Sequence, residues 1–205
     1  MGKENFLRQQ HLRQLVAQHA ARMMIEEGVA DYAYAKRKAA RQLSVDEVHC
    51  LPANAEIEQE LRLYNDLYGD HDQVEHLRQL RGDALTVMRM LERFNPQITG
   101  AVLEGTAGRY AETDIHLFAD SLKDVDIFLL NNQIPYQMAE KTFRFGNERK
   151  KIPVFSLDGP HGVIRLSVFT TDDAHNAPRS LLGSGALQRA SAKTLETLLH
   201  PKTRI

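Results

Sequence analysis

The spacing of apolar residues divides the chain into two parts. Over residues 5–93, apolar side chains recur every three or four positions, which is the period of an amphipathic α-helix. Asp31 is placed to cap a helix over residues 32–43, because an aspartate accepts hydrogen bonds from the first free backbone amides. The same pattern predicts a helix beginning at Asn54 and another over residues 71–94. We therefore expect the first half to form a helical bundle.

After Pro96 the pattern changes to short apolar or alternating runs, which indicate β-strands. One helix is expected among them, over residues 121–131. The expected strands are residues 99–104, 114–118, 134–145, 152–157 and 163–169. Helices followed by strands indicate an α+β protein, in which an N-terminal helical bundle precedes a mixed β-sheet with flanking helices. The predicted domains are residues 1–95, residues 96–175 and a basic C-terminal tail or helix over residues 176–205.

Composition adds little to this architecture, but it indicates the class of protein and its cellular location. The chain has 205 residues, of which 42% are hydrophobic and 26% are charged, as in ordinary globular proteins. No apolar run approaches the roughly eighteen residues of a membrane helix, and the first residues lack the apolar segment of a secretory signal. A single cysteine, Cys50, leaves no internal disulfide. We expect a cytoplasmic protein that does not bind membranes.

Charge is nearly balanced over the whole chain, with a net charge of −1. This balance gives no general attraction to nucleic acid. Residues 36–41, KRKAAR, are locally basic, and so is the segment after residue 174. Such runs are common on solvated helix surfaces, but they also leave open an RNA-binding or protein-binding adaptor.

The stretch GTAGRYAETDIHLF, residues 105–118, carries the candidate chemistry. A glycine turn, a short connecting segment and a strand containing Asp114-Ile115-His116 follow one another. In register, this stretch resembles the motif G-S-x-A-R-G-x…S-D-h-D, where h is apolar, of the polymerase-β-type nucleotidyltransferases. The resemblance covers roughly residues 98–170 and is strongest to the minimal, antitoxin-like members. The second aspartate of the motif is replaced by His116.

The resemblance implies roles for particular residues. Gly105 and Thr106 would let backbone amides approach phosphate oxygens, with Arg109 beside them. Asp114 and residue 116 would project from one face of a strand and share divalent ions, Mg²⁺ or Mn²⁺ in an active member. A third carboxylate would come from a neighbouring strand.

Two positions depart from this template. His116 offers a nitrogen, whereas Mg²⁺ prefers oxygen ligands, and imidazole suits zinc or nickel better. The best match for the third strand, residues 163–169, shows Arg165 and Ser167 on its polar face and no acid. We therefore expect the usual two-metal centre to be absent. Arg165, together with Arg109, is a candidate for binding phosphate directly.

The helical first half and the phrase HLFADS, residues 116–121, also resemble a bacterial family with a helical N-terminal region. Some of its members carry the label of a UDP-N-acetylmuramate–alanine ligase. Such ligases need a G-x-x-G-K-[ST] phosphate loop, and neither Gly-Lys-Ser nor Gly-Lys-Thr occurs here. That activity is therefore not expected. Asp124 and Asp126 are also excluded as metal ligands, because a helix points them in different directions.

Three functions follow from these residues. The first is a nucleotidyltransferase-like protein with a degenerate metal site that binds a nucleotide or another phosphorylated ligand. The second is an active nucleotidyltransferase that uses Asp114 and His116 with an unusual divalent metal. The third is a non-enzymatic adaptor that binds RNA or protein, in which case Gly105 is an ordinary turn and His116 is a surface or hydrogen-bonded histidine.

Overall fold

The computed structural model describes residues 2–29, 31–45, 51–68, 71–179 and 186–200. Within these ranges the α-helices are α1 (Gly2–Glu26), α2 (Tyr32–Gln42), α3 (Asn54–Tyr68), α4 (His71–Met90), α5 (Gly100–Glu104), α6 (Leu122–Asn131) and α7 (Ala192–Leu199). The β-strands are β1 (Gln97–Thr99), β2 (Thr113–Phe118), β3 (Gln137–Phe145), β4 (Glu148–Asp158), β5 (Val163–Phe169) and β6 (Arg189–Ser191). None of the described helices has the length and apolar composition needed to cross a membrane.

Contacts between residues divide the chain into two compact units, and the first contains α1, α2 and α3. Its core is built largely from alanines, which allow helix backbones to approach closely. The buried residues are Val16, Ala17, Ala20, Ala21, Ala35, Ala39, Ala40, Ile57 and Leu61. The Asp31 side chain accepts hydrogen bonds from the amides of Ala33 and Tyr34, so the predicted cap of α2 is confirmed.

The second unit contains a six-stranded sheet with the strand order β3-β4-β5-β2-β1-β6. The β2–β5 pair is parallel, and the other neighbouring pairs are antiparallel. The predicted α+β class, with helices first and a mixed sheet after them, is therefore confirmed. The strand predicted over residues 163–169 has the same bounds in the structure.

One face of the sheet packs against helices. Alternate strand residues Ile115, Leu117 and Leu166 are fully buried in a cluster with side chains of α4, α6 and α7. The helix residues in this cluster include Leu80, Ala84, Met88, Val125, Leu129 and Leu195. Most of α4 groups with the sheet unit, which begins at Val74. The domain boundary near residue 95 stays a prediction.

The strand predicted over residues 99–104 is wrong. The strand β1 ends at Thr99, and the chain then turns at Gly100 into the short helix α5. Gly100 and Gly105 both have positive φ angles, +74° and +82°, in the left-handed region that glycine adopts without a steric penalty. These two glycines bracket the helix, and an apolar run of this length does not distinguish a strand from a buried helical turn.

Candidate functional site

The face of the sheet opposite the helices carries three of the residues that the sequence singles out. Because β2 and β5 are parallel neighbours, Asp114 pairs in register with Arg165, and His116 pairs with Ser167. Residues two apart on a strand point to the same side. Asp114, His116 and Arg165 therefore lie together on this face.

Asp114 has a cationic neighbour that the sequence does not reveal. The Nζ atom of Lys141, from β3, lies 3.5 Å from the Oδ1 atom of Asp114. Both side chains are partly exposed, at 41% for Lys141 and 29% for Asp114. Lys141 also lies over the ring of Phe143, with its Nζ atom 5.4 Å from the ring centroid. The charge that a metal ion would otherwise balance at Asp114 is here balanced by an ammonium group.

The glycine next to Asp114 is Gly100. A Cβ atom at residue 100 would lie 3.5 Å from the Oδ2 atom of Asp114, so this turn passes directly beside the carboxylate. The order of a strand, a glycine turn, a short helix and an aspartate-bearing strand is therefore present, with Gly100 in the turn. Sequence reasoning missed this glycine, because Gly100 lay inside the strand predicted over residues 99–104 and Gly105 matched the motif spacing.

Gly105 and Thr106 lie at the other end of α5. Gly105 is the C-terminal cap, and the amide of Thr106 donates to the carbonyl of Ala101 at 2.9 Å. Arg81 donates hydrogen bonds to the carbonyls of Val102 and Leu103 in the same helix. The end of a helix exposes carbonyl oxygens, which bind cations such as this guanidinium. The phosphate contact expected at Gly105 and Thr106 stays a prediction.

Arg165 forms an ion pair with Glu112, which directly precedes β2. The distance from Nη2 of Arg165 to Oε1 of Glu112 is 2.6 Å, and each side chain is 37% exposed. A guanidinium has five N–H donors, so one bond to Glu112 leaves others to face solvent or a ligand. Arg165 is therefore held in place and remains accessible.

His116 is buried, with an exposed fraction of 1%. Its Nδ1 atom lies 3.0 Å from the Nε atom of Arg189, and its ring centroid lies 4.5 Å from that of Phe169. Since the arginine donates, Nδ1 accepts, and the neutral imidazole then carries its proton on Nε2. Burial lowers the pKa of His116 to about 3, and the positive charges of Arg189 and Lys141 act in the same direction.

These contacts do not fit His116 as a metal ligand. A ligating imidazole needs a nitrogen with a free lone pair, and here one nitrogen accepts from Arg189 while the other holds the proton. In the part of the chain that the structure describes, no group of three or more His, Cys, Asp or Glu side chains is placed to hold a metal. The residues beside Asp114 thus differ from those that a pair of Mg²⁺ or Mn²⁺ ions requires.

Arg189 is a structural partner that sequence reasoning missed. Its guanidinium lies over the rings of Phe118 and Phe169, at 5.0 Å and 5.3 Å from their centroids. It also donates to the carbonyls of Asp173 and Ala174. Burial lowers the pKa of Arg189. The residue belongs to β6, so the segment predicted as a basic tail or helix contributes a strand and the helix α7 to the sheet unit.

Arg109 is exposed and groups with the helices of the first unit, whereas Asp114 and Arg165 belong to the second. Its role in phosphate binding stays a prediction. A groove of about 550 Å³ lies between α1 and α3 of the first unit, lined mainly by glutamines and glutamates. The charged side chains Arg13 and Glu56 at this groove pair with each other. The groove therefore offers fewer cationic side chains for binding a phosphate group than the sheet face does.

Neither a family model nor a curated protein matches the sequence. Among solved structures, the chain is similar to one described as a cytoplasmic RNA terminal U-transferase. The TM-score is 0.36 and the sequence identity is 13%, over 56% of this chain and 34% of that chain. The alignment thus spans about a third of the other protein.

Proposed function

We propose that the sheet unit is a nucleotidyltransferase-like module that binds the phosphate groups of a nucleotide or another phosphorylated ligand without a metal pair. The observation that supports this most strongly is the arrangement around Asp114. Arg165 lies beside it in register, and the Lys141 ammonium lies 3.5 Å from its carboxylate. Cationic side chains occupy the surroundings in which the resemblance would place metal ions.

The chemistry of these side chains suits phosphate. A guanidinium matches two phosphate oxygens with a planar pair of N–H donors, and an ammonium acts as a point charge beside it. Each cation already has an acidic neighbour, Glu112 for Arg165 and Asp114 for Lys141. These acids orient the cations but reduce the net positive charge, so we expect moderate affinity that decreases with salt.

The second function, an active transferase using Asp114 and His116 with an unusual metal, requires a change in this arrangement. His116 would have to release the hydrogen bond from Arg189 to free Nδ1. The partly buried guanidinium of Arg189 would then lose a hydrogen-bond acceptor, which costs free energy. The geometry therefore favours phosphate binding by side chains over metal coordination.

Thermal-shift titration with ATP, GTP, CTP and UTP in EDTA tests the proposal. A charged hydrogen bond contributes about 1.5–3 kcal/mol, so Arg165→Ala should weaken nucleotide binding by roughly ten- to a hundredfold. Lys141→Ala should act in the same direction. The matched control is Arg78→Ala, since Arg78 is an exposed arginine of α4 that also has one acidic neighbour, Glu75. It should bind nucleotide like the unmutated protein.

Arg109→Ala examines the segment that the sequence highlighted. A loss of binding comparable to that of Arg165→Ala would mean that the residue 105–109 segment also contacts the phosphates. If no nucleotide or sugar phosphate shifts the melting temperature of the unmutated protein, the proposal is wrong, and the adaptor function is favoured instead.

A further inference from the structure

The β3–β4 hairpin is the most basic part of the sheet unit. Residues 141–151, KTFRFGNERKK, contain five basic residues and one acidic residue, in a chain whose net charge is −1. This run lies outside the two basic segments that the sequence pattern emphasised. The pairing of the two strands shows which of its basic and aromatic side chains lie on the same face.

One side of the hairpin is anchored in the protein. The rings of Phe143 and Phe145 lie 5.1 Å and 6.2 Å from that of Phe169 on β5, measured between centroids. Phe145, Ile152 and Phe169 are buried in one cluster, which Phe143 joins from its edge. The hairpin is therefore fixed against the sheet by these apolar side chains.

The other side of the hairpin carries exposed cations. Side chains alternate between faces along a strand, and Arg144 pairs directly with Arg149 across the two strands. Lys151 follows Arg149 by two residues and points to the same side. We call these three side chains, all exposed, the hairpin basic surface: Arg144, Arg149 and Lys151.

The hairpin also extends past its neighbour in the sheet. The pairing of β4 with β5 begins at Val154, so residues 148–153 are paired with β3 alone. β3 is the edge strand of the sheet. The hairpin basic surface thus belongs to a two-stranded ribbon, a shape that the major groove of double-stranded DNA admits.

The facing arginines are unfavourable for the isolated protein. Like charges directly opposite each other on neighbouring strands are destabilising. Neither guanidinium forms an ion pair with a residue that the structure describes. Lys151 has Glu140 at 3.5 Å, but these side chains are 75% and 62% exposed, so their attraction is weak. An anionic partner would relieve this repulsion.

The basic stretch of α2 differs in this respect. Lys36 donates a hydrogen bond to the carbonyl of Pro52, and Lys38 pairs with Glu27 at 2.6 Å. Arg37 donates to the carbonyl of Ala33 in its own helix. These cations interact within the protein, whereas Arg144 and Arg149 face each other.

We propose that the hairpin basic surface binds the phosphodiester backbone of a nucleic acid. Arg149 and Lys151 are about 6.6 Å apart along the strand, given a rise of about 3.3 Å per residue. A chain of phosphates can contact this row and Arg144 at once, with each side chain bound to a separate phosphate. Lys141 points to the opposite face of the hairpin, so this surface is separate from the site at Asp114 and does not depend on it.

Fluorescence anisotropy with a labelled single-stranded RNA, over a series of salt concentrations, tests the proposal. Arg144→Gln with Arg149→Gln should weaken binding by roughly tenfold and reduce the salt slope by about 0.7 for each phosphate that the protein no longer neutralises. The matched control, Arg37→Gln with Lys38→Gln, removes the same charge from α2 and should leave affinity and slope unchanged. DNA of the same sequence and a duplex identify the form of nucleic acid preferred.

The variant Arg149→Glu distinguishes a loss of RNA binding from a loss of stability. It places an acid opposite Arg144, so the melting temperature should stay equal or rise while RNA binding is lost. Equal RNA affinity and salt slope in the hairpin variants and the unmutated protein would overturn the proposal. So would an equal loss of binding in the α2 control, or binding to anionic phospholipid vesicles without binding to any of the nucleic acids.

Discussion

The two faces of the sheet are built from the same strands but differ in the burial of their side chains and in the partners of those side chains. On the helix-covered face, Ile115, Leu117 and Leu166 are fully buried among aliphatic side chains. On the opposite face, their neighbours Asp114 and Arg165 are partly exposed and paired with charges from other elements. Adjacent residues on one strand therefore have different roles: one stabilises the fold, and the next can contact a ligand.

This difference shows what each face requires. The aliphatic face needs apolar side chains of suitable volume. Their removal from water on folding stabilises the protein. The polar face needs particular partners, because each charge is balanced by a side chain from a distant part of the chain. Substitutions on the first face should therefore change stability, and substitutions on the second should mainly change binding or pH dependence.

Leu166→Ala should have the largest effect on stability. Truncation of a fully buried leucine leaves a cavity and typically costs about 2–5 kcal/mol of unfolding free energy. Urea denaturation followed by circular dichroism measures the loss. Leu166→Met, which conserves volume, is the control and should cost less than about 1.5 kcal/mol. A loss below about 1 kcal/mol for the alanine variant would contradict the buried position of Leu166.

His116→Gln should change how stability depends on pH. The pKa of His116 falls from its ordinary value of 6.5 to about 3 in the folded protein. Between these two pH values the unfolded chain holds a proton that the folded protein does not. Stability therefore decreases as pH falls through this window, by up to about 1.4 kcal/mol per pH unit.

The glutamine variant keeps an acceptor for Arg189 but does not titrate. Its unfolding free energy should therefore decrease less than that of the unmutated protein when the pH is lowered from neutral to mildly acidic. Urea titrations of the two proteins at several pH values provide the comparison. Parallel pH profiles would mean that His116 binds its proton at the same pH in the folded and unfolded protein, which would contradict its lowered pKa.

Ser167→Ala should have the smallest effect. The Oγ atom of Ser167 is buried on the polar face and has no hydrogen-bond partner among the described residues. Removing an unsatisfied hydroxyl should leave stability unchanged or raise it by up to about 1 kcal/mol. Calorimetric unfolding tests this, with Leu166→Ala as the comparison on the other face. A clear loss of stability would mean that the hydroxyl is bonded in solution.

The polar face was only partly predictable from the sequence. The alternation over residues 163–169 correctly predicted β5, because strands with one apolar face have a period of two. The same alternation indicated that Arg165 is on the polar side. The motif spacing pointed to Gly105, whose phosphate contact stays a prediction, and it did not reveal that the glycine turn at Gly100 passes beside Asp114.

The partners of this face were not predictable from local patterns. Lys141 is 27 residues from Asp114, and Arg189 is 73 residues from His116. Only the strand order brings them together. His116 was expected as a metal ligand or as a surface or hydrogen-bonded histidine, and the structure shows it hydrogen-bonded to Arg189. Its burial against Phe169 depends on the pairing of β2 with β5, which the sequence of β2 alone does not encode.

The most direct test of the account measures nucleotide binding by the unmutated protein with and without divalent metal. Isothermal titration calorimetry with ATP or the best nucleotide from the thermal-shift series is performed in EDTA and then in millimolar Mg²⁺ or Mn²⁺. If Arg165 and Lys141 neutralise the phosphate charge, nucleotide binds in EDTA, and neither metal strengthens the binding. Binding that requires Mg²⁺ or Mn²⁺ and disappears in Asp114→Ala would contradict the account and favour a metal-dependent transferase.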